Sequence, residues 1–223
     1  MSGGITARPA EPRRLVILGG TFDPVHTGHM AILEQTRVAL GADMGWLLPT
    51  GDQPLRESAV ASAADRLAMA EAAVRDQPHL AVSDLEARRP GRSYTVETAA
   101  ELSPIQLGVE RWWLLGADAA RRIREWRRWP ELLQRERFAL VNRAGVAPMG
   151  GAEAEALGFA AERSRLLAVD SPPVSASEVR RRLAAGESLA GMLPDAVAQL
   201  IRARGLYGTA TTRPGDNAGD DLR

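Results

Sequence analysis

The chain has 223 residues, 45% of them hydrophobic and 25% charged, which is ordinary composition for a globular protein of one or two domains. It contains no cysteine, and every basic residue is arginine, which excludes thiol nucleophiles, cysteine-based zinc and iron–sulfur centres and Schiff-base lysines. The 28 basic and 28 acidic residues balance to a net charge of +0, so the overall positive charge typical of nucleic-acid-binding domains is absent.

The two ends of the chain differ from its middle. Residues 1–12 show no apolar periodicity and lack the apolar core of a signal peptide, and residues 208–223 are polar, so we expect two flexible tails around a single domain at 13–207. No stretch approaches the roughly 18 uncharged apolar residues of a membrane span. We therefore expect a cytoplasmic protein that binds neither nucleic acid nor membrane.

Short apolar runs recur along the middle of the chain. They are continuous rather than alternating, which is typical of a parallel sheet covered on both faces. The predicted strands are Leu15–Leu18, Trp46–Leu48, Leu80–Val82, Trp112–Leu115, Phe138–Val141 and Leu166–Val169.

Segments with helical spacing lie between these strands. They are Met30 to Leu40, stopped by Gly41, then Arg66–Arg75, Thr95–Leu102, Ser177–Ala184, and a last helix with Pro194 in its first turn and Gly205 as terminator. Ser175 and Glu178 have the spacing of a capping box before the fourth helix, and Gly145–Arg163 fits either a short helix or a surface loop. The alternation predicts an α/β fold with a doubly wound, mostly parallel sheet, which is Rossmann-like, and a ligand crevice at the carboxyl ends of its strands.

The densest chemistry directly follows the first predicted strand, in the run Gly19-Gly20-Thr21-Phe22-Asp23-Pro24-Val25-His26-Thr27-Gly28-His29. The paired glycines let a ligand approach the backbone closely. The amides at the start of the following helix attract anions, and His26 and His29 lie about one helical turn apart. This corner therefore predicts a phosphate site.

The histidines also have other interpretations. A zinc site at His26 and His29 needs a third ligand, and none is obvious nearby in the sequence. His79, between a helix and a strand, is expected to have no functional role.

The run Gly19 to His29 resembles the signature of the nucleotidyltransferase superfamily with the His-x-Gly-His motif, and more narrowly that of bacterial nicotinate-nucleotide adenylyltransferases. Four later segments are similar to that family in the same order: residues 90–98 around Ser-Tyr-Thr, residues 114–118 ending in Gly-Ala-Asp, Trp126 with residues 129–133, and residues 174–180. The resemblance covers about Leu15 to Tyr207. The first and last motifs are typical of the superfamily, and the middle ones select the family.

One segment departs from the family pattern. After the second strand the family has a Pro-Pro-His-Lys-like stretch, whereas this chain has Pro49 to Arg56 without the histidine, and Arg56 stands in place of the lysine. Because arginine is a bidentate fork rather than a point charge, its geometry on a phosphate would differ.

The resemblance implies transfer of AMP from ATP to nicotinate mononucleotide, with release of pyrophosphate. It implies catalytic roles for His26, His29 and Arg180. The implied ATP-binding residues are Gly19, Gly20, Gly28, Gly116, Asp118, Ser175 and Ser177, and the implied nicotinate-nucleotide-binding residues are Thr21, Phe22, Arg56, Tyr94, Thr95, Trp126 and Arg143. Mg²⁺ is expected to be held mainly by the ATP phosphates, with no metal site of the protein's own. Arg181 and Arg182 are expected on a solvated face.

The motifs leave other functions open. A nucleotidyltransferase of the same fold that accepts nicotinamide mononucleotide, phosphopantetheine, a sugar phosphate or choline phosphate shares the first motif. A non-catalytic dinucleotide-binding module explains the glycines, but not the two imidazoles or Arg180. A homo-oligomer is also left open.

Overall fold

A computed structural model describes residues 13–51, 59–103, 108–142 and 145–209 of the chain. Within these ranges the chain forms a six-stranded sheet in which every pair of neighbouring strands is parallel. The strands are β1 (Arg14–Gly20), β2 (Met44–Pro49), β3 (Leu80–Val82), β4 (Glu110–Gly116), β5 (Arg137–Asn142) and β6 (Ser164–Ala168). Each of the six predicted strands is confirmed. The observed first and last residues differ from the predicted ones by no more than two positions.

The strand order is β3-β2-β1-β4-β5-β6. The chain adds β2 and β3 on one side of β1 and then crosses to add β4 on the other side. The strand order therefore reverses between β1 and β4, which is the switch point where doubly wound sheets bind ligands. The predicted fold class is confirmed.

Helices cover both faces of the sheet, as the continuous apolar strands require. The α-helices are α1 (Thr27–Ala39), α2 (Ala63–Val74), α3 (Thr95–Leu102), α4 (Ala117–Arg121), α5 (Trp129–Arg135), α6 (Gly151–Ala156), α7 (Ala176–Ala185) and α8 (Asp195–Arg204), with 3₁₀ turns at Ile123–Glu125 and Leu206–Gly208. No helix in the described ranges is long and apolar enough to cross a bilayer.

Alternate side chains of β1 supply two separate apolar layers. Val16 and Leu18 pack with residues of α1, α2, α7 and α8. Leu15 and Ile17 pack on the opposite face with residues of α3 to α6. Because successive strand residues point to opposite faces, one short apolar strand contributes to both layers.

Several helix ends differ from the predicted ones. Helix α1 begins at Thr27 rather than Met30, because the extended backbone of His26 forms its N-cap. Helix α2 begins three residues early, where the Ser62 side chain accepts from the Asp65 amide. Pro194 is the N-cap of α8 instead of its first residue. In each case the cap, rather than the apolar period, sets the boundary.

The sequence patterns missed α4 and α5, which are only five and seven residues long. The uncertain segment 145–163 contains the short helix α6, whose Ala154 is buried together with Met149 and Phe159. The expectation of burial on both faces is wrong for β6, because this strand lies at the edge of the sheet and is largely exposed.

Both predicted tails fall mostly outside the described residues, which begin at residue 13 and end at residue 209. Gly208 belongs to a 3₁₀ turn, and the Thr209 hydroxyl donates to the Ile201 and Leu206 carbonyls. The predicted disorder is therefore wrong for these two residues.

Candidate active site

The two predicted histidines meet at the corner between β1 and α1. Their rings stack with centroids 3.6 Å apart and planes 23° from parallel. His26 is buried, and its backbone amide donates to Nδ1 of His29 at 3.3 Å. Because Nδ1 of His29 accepts, the proton of the neutral ring lies on Nε2. In that tautomer His29 presents a donor to an anion.

Neighbouring elements hold this corner in place. The backbone and hydroxyl of Thr27 donate to the Met192 carbonyl in the loop before α8. The ring of Phe22 is buried and meets the His29 ring edge-on at 5.0 Å. Phe22 therefore supports an imidazole with its side chain, which leaves its main chain as the part suited to ligand contact.

Glycine occupies positions 19 and 28 of the corner for different physical reasons. A Cβ on Gly28 would lie 3.1 Å from ring atoms of His26 and 3.3 Å from the Pro172 carbonyl, so glycine favours the close approach of α1 to this loop. A Cβ on Gly19 would meet no protein atom within 4 Å, at the exposed end of β1. The space beside Gly19 is therefore open for a ligand.

Asp23, quoted in the motif but given no role from the sequence, is the hub of the corner. Its buried carboxylate accepts from the amides of Val60 and Ala61 at 2.8 and 3.0 Å and from the hydroxyl of Tyr207 at 2.7 Å. Burial, then the hydrogen bond to Asp23, raises the pKa of the Tyr207 hydroxyl. Tyr207 therefore remains a donor at neutral pH.

Arg180 reaches the same corner from α7. Its Nη1 donates to the Asp23 carbonyl at 2.6 Å and lies 3.7 Å from the carboxylate. A guanidinium has five N–H donors in a planar fork, so this anchor uses only part of the group. Arg180 therefore lies beside the corner that carries Asp23.

Ser175 is the capping residue of α7. The Ser175 hydroxyl accepts from the Glu178 amide at 3.2 Å, which confirms half of the predicted capping box. The Glu178 carboxylate turns away to Arg181 and Arg182, whose hydrogen bonds, Arg181 first, lower the pKa of Glu178 to about 2. Ser177 is exposed in the first turn.

Arg66 is a functional candidate that sequence reasoning missed. It is buried, and its guanidinium donates to the Thr21 carbonyl at 2.7 Å and to the Gly51 carbonyl at 3.0 Å. It thereby joins the loops that follow β1 and β2. The signal was a charged residue on the buried stripe of α2, in helical register with Met69, Ala70 and Ala73.

At the switch point, the carboxyl end of β4 faces the corner of β1. Gly116 is the N-cap of α4, and Asp118 lies exposed in its first turn. A Cβ on Gly116 would be 2.7 Å from Oδ1 of Asp118. Glycine therefore lets this carboxylate fold back over the strand end, where the family resemblance implies a contact with ATP.

The predicted pyridine-binding residues lie on the face covered by α3 to α6. Tyr94 is the N-cap of α3 with no side-chain capping bond, and Thr95 is its first residue. Trp126 is half-buried and ends the 3₁₀ turn after α4. Arg127, next to it, places its guanidinium 4.7 Å from the centroid of the Tyr94 ring. The fold thus brings the two predicted segments together.

Other predictions fall outside this arrangement. Arg56 and Arg143 lie outside the described residues. The described ranges contain no group of three His, Asp or Glu side chains able to hold a metal ion, so they offer no third ligand for the zinc alternative. His79 is exposed just before the edge strand β3, at the amino ends of the parallel strands, whereas the corner lies at the carboxyl end of β1.

Comparison with known proteins identifies the class first: residues 17–182 match the cytidylyltransferase-like family. A probable nicotinate-nucleotide adenylyltransferase of Roseiflexus sp. is 43% identical over 86% of this chain and 96% of its own length. One of Herpetosiphon aurantiacus is 38% identical over 87% and 98%. The chain therefore belongs to the nicotinate-nucleotide adenylyltransferase family of cytidylyltransferase-like enzymes.

Solved structures agree with the fold. The nicotinic acid mononucleotide adenylyltransferase of Plasmodium falciparum complexed with NaAD superposes with a TM-score of 0.72, at 17% identity, over 88% of this chain and 98% of that one. The same Plasmodium enzyme complexed with APC gives a TM-score of 0.71 with the same coverage.

Proposed function

We propose that the protein transfers AMP from ATP to nicotinate mononucleotide, which gives deamido-NAD and pyrophosphate. One observation carries the proposal: the fold brings two stacked imidazoles, the start of α1 and the Arg180 guanidinium to one corner at the switch point of the sheet. Such a corner supplies several donors for phosphate, whereas a dinucleotide-binding module needs only the helix start. Both substrates are dissolved metabolites, and we place the reaction in the cytoplasm.

In this reaction a 5′-phosphate oxygen of nicotinate mononucleotide attacks the α-phosphorus of ATP. A new P–O bond forms, the bond from the α-phosphorus to the bridging oxygen breaks, and pyrophosphate carries away the electron pair. The attacking oxygen is already anionic near neutral pH, so no general base or enzyme nucleophile is needed. Catalysis is then positioning together with stabilisation of the charge on the phosphoryl oxygens.

The corner provides that stabilisation. His29 donates from Nε2 to the α-phosphate, because its Nδ1 accepts from the His26 amide. His26 and the Gly28 amide contact the neighbouring phosphates, because the Thr27 amide donates to the Met192 carbonyl and the His29 and Met30 amides to the His26 carbonyl. Arg180, anchored on the Asp23 carbonyl, directs its other donors to the leaving pyrophosphate. The open space beside Gly19 allows ATP to lie against the end of β1, and Gly20 and Gly116 contact ATP through their backbones.

The acceptor lies at the start of α3. Helix-start amides prefer an anion to a neutral group, so Tyr94 and Thr95 favour the nicotinate carboxylate over an amide. The Trp126 indole stacks on the pyridine ring. Asp118 accepts from a ribose hydroxyl, and Thr21 lines the crevice. Arg56 and Arg143 remain proposed phosphate contacts.

A divalent cation, which we propose to be Mg²⁺, fits the oxygen-rich phosphates of ATP better than it fits this chain. The described residues offer no cluster of three acidic or histidine ligands, so the protein would hold the ion through ATP and water. When bound, the ion neutralises charge on the phosphates.

The test is pyrophosphate release by purified protein with ATP, Mg²⁺ and separate acceptors: nicotinate mononucleotide, nicotinamide mononucleotide and phosphopantetheine. We expect the highest kcat/KM with nicotinate mononucleotide, because only that acceptor carries a ring carboxylate for the start of α3. Equal or faster turnover of either other acceptor contradicts the proposal.

A further inference from the structure

Five arginines lie between residues 121 and 128, and the structure gives each a partner. Arg122 and Arg128 pair with carboxylates three residues further along the chain. Arg121 and Arg124 reach the segment around α6. Arg127 alone among these five crosses to α3. Ion pairing within its own segment therefore does not explain the position of Arg127.

Arg127 makes two contacts at the start of α3. Its guanidinium lies 4.7 Å from the centroid of the Tyr94 ring, within the range of a cation–π contact. Its Nη1 lies 3.3 Å from the Glu97 carboxylate, and the two side chains are 53% and 40% exposed. Arg127 also directly follows Trp126, so it joins the two sides of the proposed pyridine site.

Glu97 creates an electrostatic conflict at this place. It stands in the first turn of α3, where an acidic side chain stabilises a helix through the backbone amides. The carboxylate of nicotinate mononucleotide would use the same helix start. An uncompensated Glu97 would therefore repel the acid substrate and have no such effect on a neutral carboxamide.

We propose that Arg127 determines specificity for the acidic acceptor by neutralising Glu97 beside the amides of α3. The inference rests on the proposed function, since it assumes that a nicotinate carboxylate binds at this helix start. Arg127 does not take part in the chemical step. Its effect appears in KM, and only for nicotinate mononucleotide, because only that acceptor carries a negative charge on its ring substituent.

The test compares KM and kcat for nicotinate and nicotinamide mononucleotides in the wild type, Arg127→Gln, Glu97→Gln and the double variant. Arg127→Gln is expected to raise KM for nicotinate mononucleotide roughly two- to fivefold, with KM for nicotinamide mononucleotide unchanged. The double variant is expected to return close to the wild-type value, because the repelling carboxylate is then absent. The effect is expected to shrink as salt is raised, because exposed charges are screened.

Arg122→Gln is the matched control, since it removes the same charge from a similarly exposed pair, 52% and 49% exposed, on the same segment. It is expected to leave both KM values unchanged. If Arg127 had a purely structural role, Arg127→Gln would raise KM equally for both acceptors, and the double variant would not recover the wild-type KM. Either of these results overturns the proposal. An unchanged KM for nicotinate mononucleotide in Arg127→Gln overturns it as well. A wild type that does not turn over nicotinate mononucleotide contradicts the proposed function instead.

Discussion

At the corner between β1 and α1, one backbone hydrogen bond decides which ring nitrogen of His29 can donate to the ligand. The His26 amide donates to Nδ1 of His29, and the Phe22 ring edge fixes the plane of that ring. The Nε2 donor is therefore aligned before substrate binds. Such preorganised donors are worth most in a transition state, because no reorganisation accompanies the reaction.

We expect His29→Ala to lower kcat by about 10²–10³, or roughly 3–4 kcal/mol of transition-state stabilisation. Steady-state pyrophosphate release with saturating ATP measures this loss. His79→Ala is the control, because that exposed imidazole lies at the amino ends of the strands, away from the corner. Wild-type turnover in His29→Ala would rule out the donor role.

A substitution at Gly19 is expected to affect ligand binding without affecting the stability of the fold. A Cβ at this position meets no protein atom within 4 Å, so Gly19→Ala should change the free energy of unfolding by no more than about 0.5 kcal/mol. If ATP occupies the open space, the added methyl group should raise the Kd for ATP about tenfold, which corresponds to about 1.4 kcal/mol. Calorimetric titration and thermal unfolding on the same samples measure both quantities.

Gly150→Ala provides the comparison for this variant. A Cβ on Gly150 also meets no atom within 4 Å, but the residue precedes α6, away from the corner. It should affect neither stability nor ATP binding. If Gly19→Ala binds ATP as tightly as the wild type, the ligand does not lie against the end of β1.

Local features of the corner can be read from the sequence. Two histidines three residues apart and a strand-ending glycine pair are visible there, and the structure stacks the two imidazoles; the roles of these residues stay predictions. Asp23 and Arg66 were missed because their partners lie far along the chain. The amides of Val60 and Ala61 and the carbonyls of Thr21 and Gly51 become neighbours only after folding.

At the scale of elements, apolar runs located every strand, and the period of 3.6 residues located the long helices. Capping decided where helices begin: Ser175 was read as a cap from the sequence, whereas Ser62, which has the same spacing to Asp65, was missed. His26 as an N-cap of α1 was not predictable, because imidazole is not a usual capping group. Helices α4 and α5 are too short for periodicity to show them.

The attachment of α3 to the loop after β3 depends on a buried carboxyl group. Oε1 of Glu86 accepts from the Thr98 hydroxyl at 2.6 Å, and Arg89 donates to the same hydroxyl at 3.0 Å. Burial raises the pKa of Glu86, and the charge of Glu101 adds to this. The hydrogen bond from Thr98 and the charge of Arg89 oppose it.

A raised pKa in the folded state makes the ionised form unfavourable. The stability contributed by Glu86 is therefore fully present below its unfolded pKa of about 4.3, and it is lost as the pH rises through the folded pKa. Glu86→Gln keeps an acceptor for Thr98 without the charge. We expect its free energy of unfolding to exceed that of the wild type at pH 7, and the difference to shrink as the pH falls to 4.

Denaturant unfolding between pH 4 and 8 measures this dependence. Glu153→Gln serves as a comparison of opposite sign, because the hydrogen bond from Arg121 lowers the pKa of that exposed carboxyl. Stability from Glu153 is present at neutral pH and lost in acid. If Glu86→Gln follows the same direction as Glu153→Gln, ionised Glu86 stabilises the fold rather than opposing it.

At the scale of the whole molecule, alternation of strands and helices was enough to predict the doubly wound sheet. Short parallel strands need crossovers, and right-handed crossovers leave few arrangements. The carboxyl ends of β1 and β4 therefore had to meet. The route of the chain after β6 was not predictable, because α7 and α8 follow no further strand in the described residues and find their places by packing against α1 and α2.

The packing of α7 and α8 places the 3₁₀ turn at Leu206–Gly208 beside the loop that follows β1. The Tyr207 hydroxyl donates to Asp23 at 2.7 Å across 184 residues of sequence, and the same aspartate anchors Arg180 through its carbonyl. Tyr207→Phe removes a half-buried hydrogen bond to a carboxylate, so we expect a loss of about 1–2 kcal/mol in stability. For a chain of this size the thermal midpoint should fall by about 2–8 °C.

Tyr94→Phe is the natural comparison, since it removes the hydroxyl of the chain's other tyrosine without touching Asp23. Scanning calorimetry of both variants separates loss of a hydroxyl from loss of this bond, and only Tyr207→Phe should lower the midpoint. Because Asp23 keeps the amides of Val60 and Ala61 as donors, the corner should remain formed and kcat should fall less than in His29→Ala. An unchanged midpoint in Tyr207→Phe would mean that water replaces the hydroxyl, and that the end of the chain does not stabilise the corner.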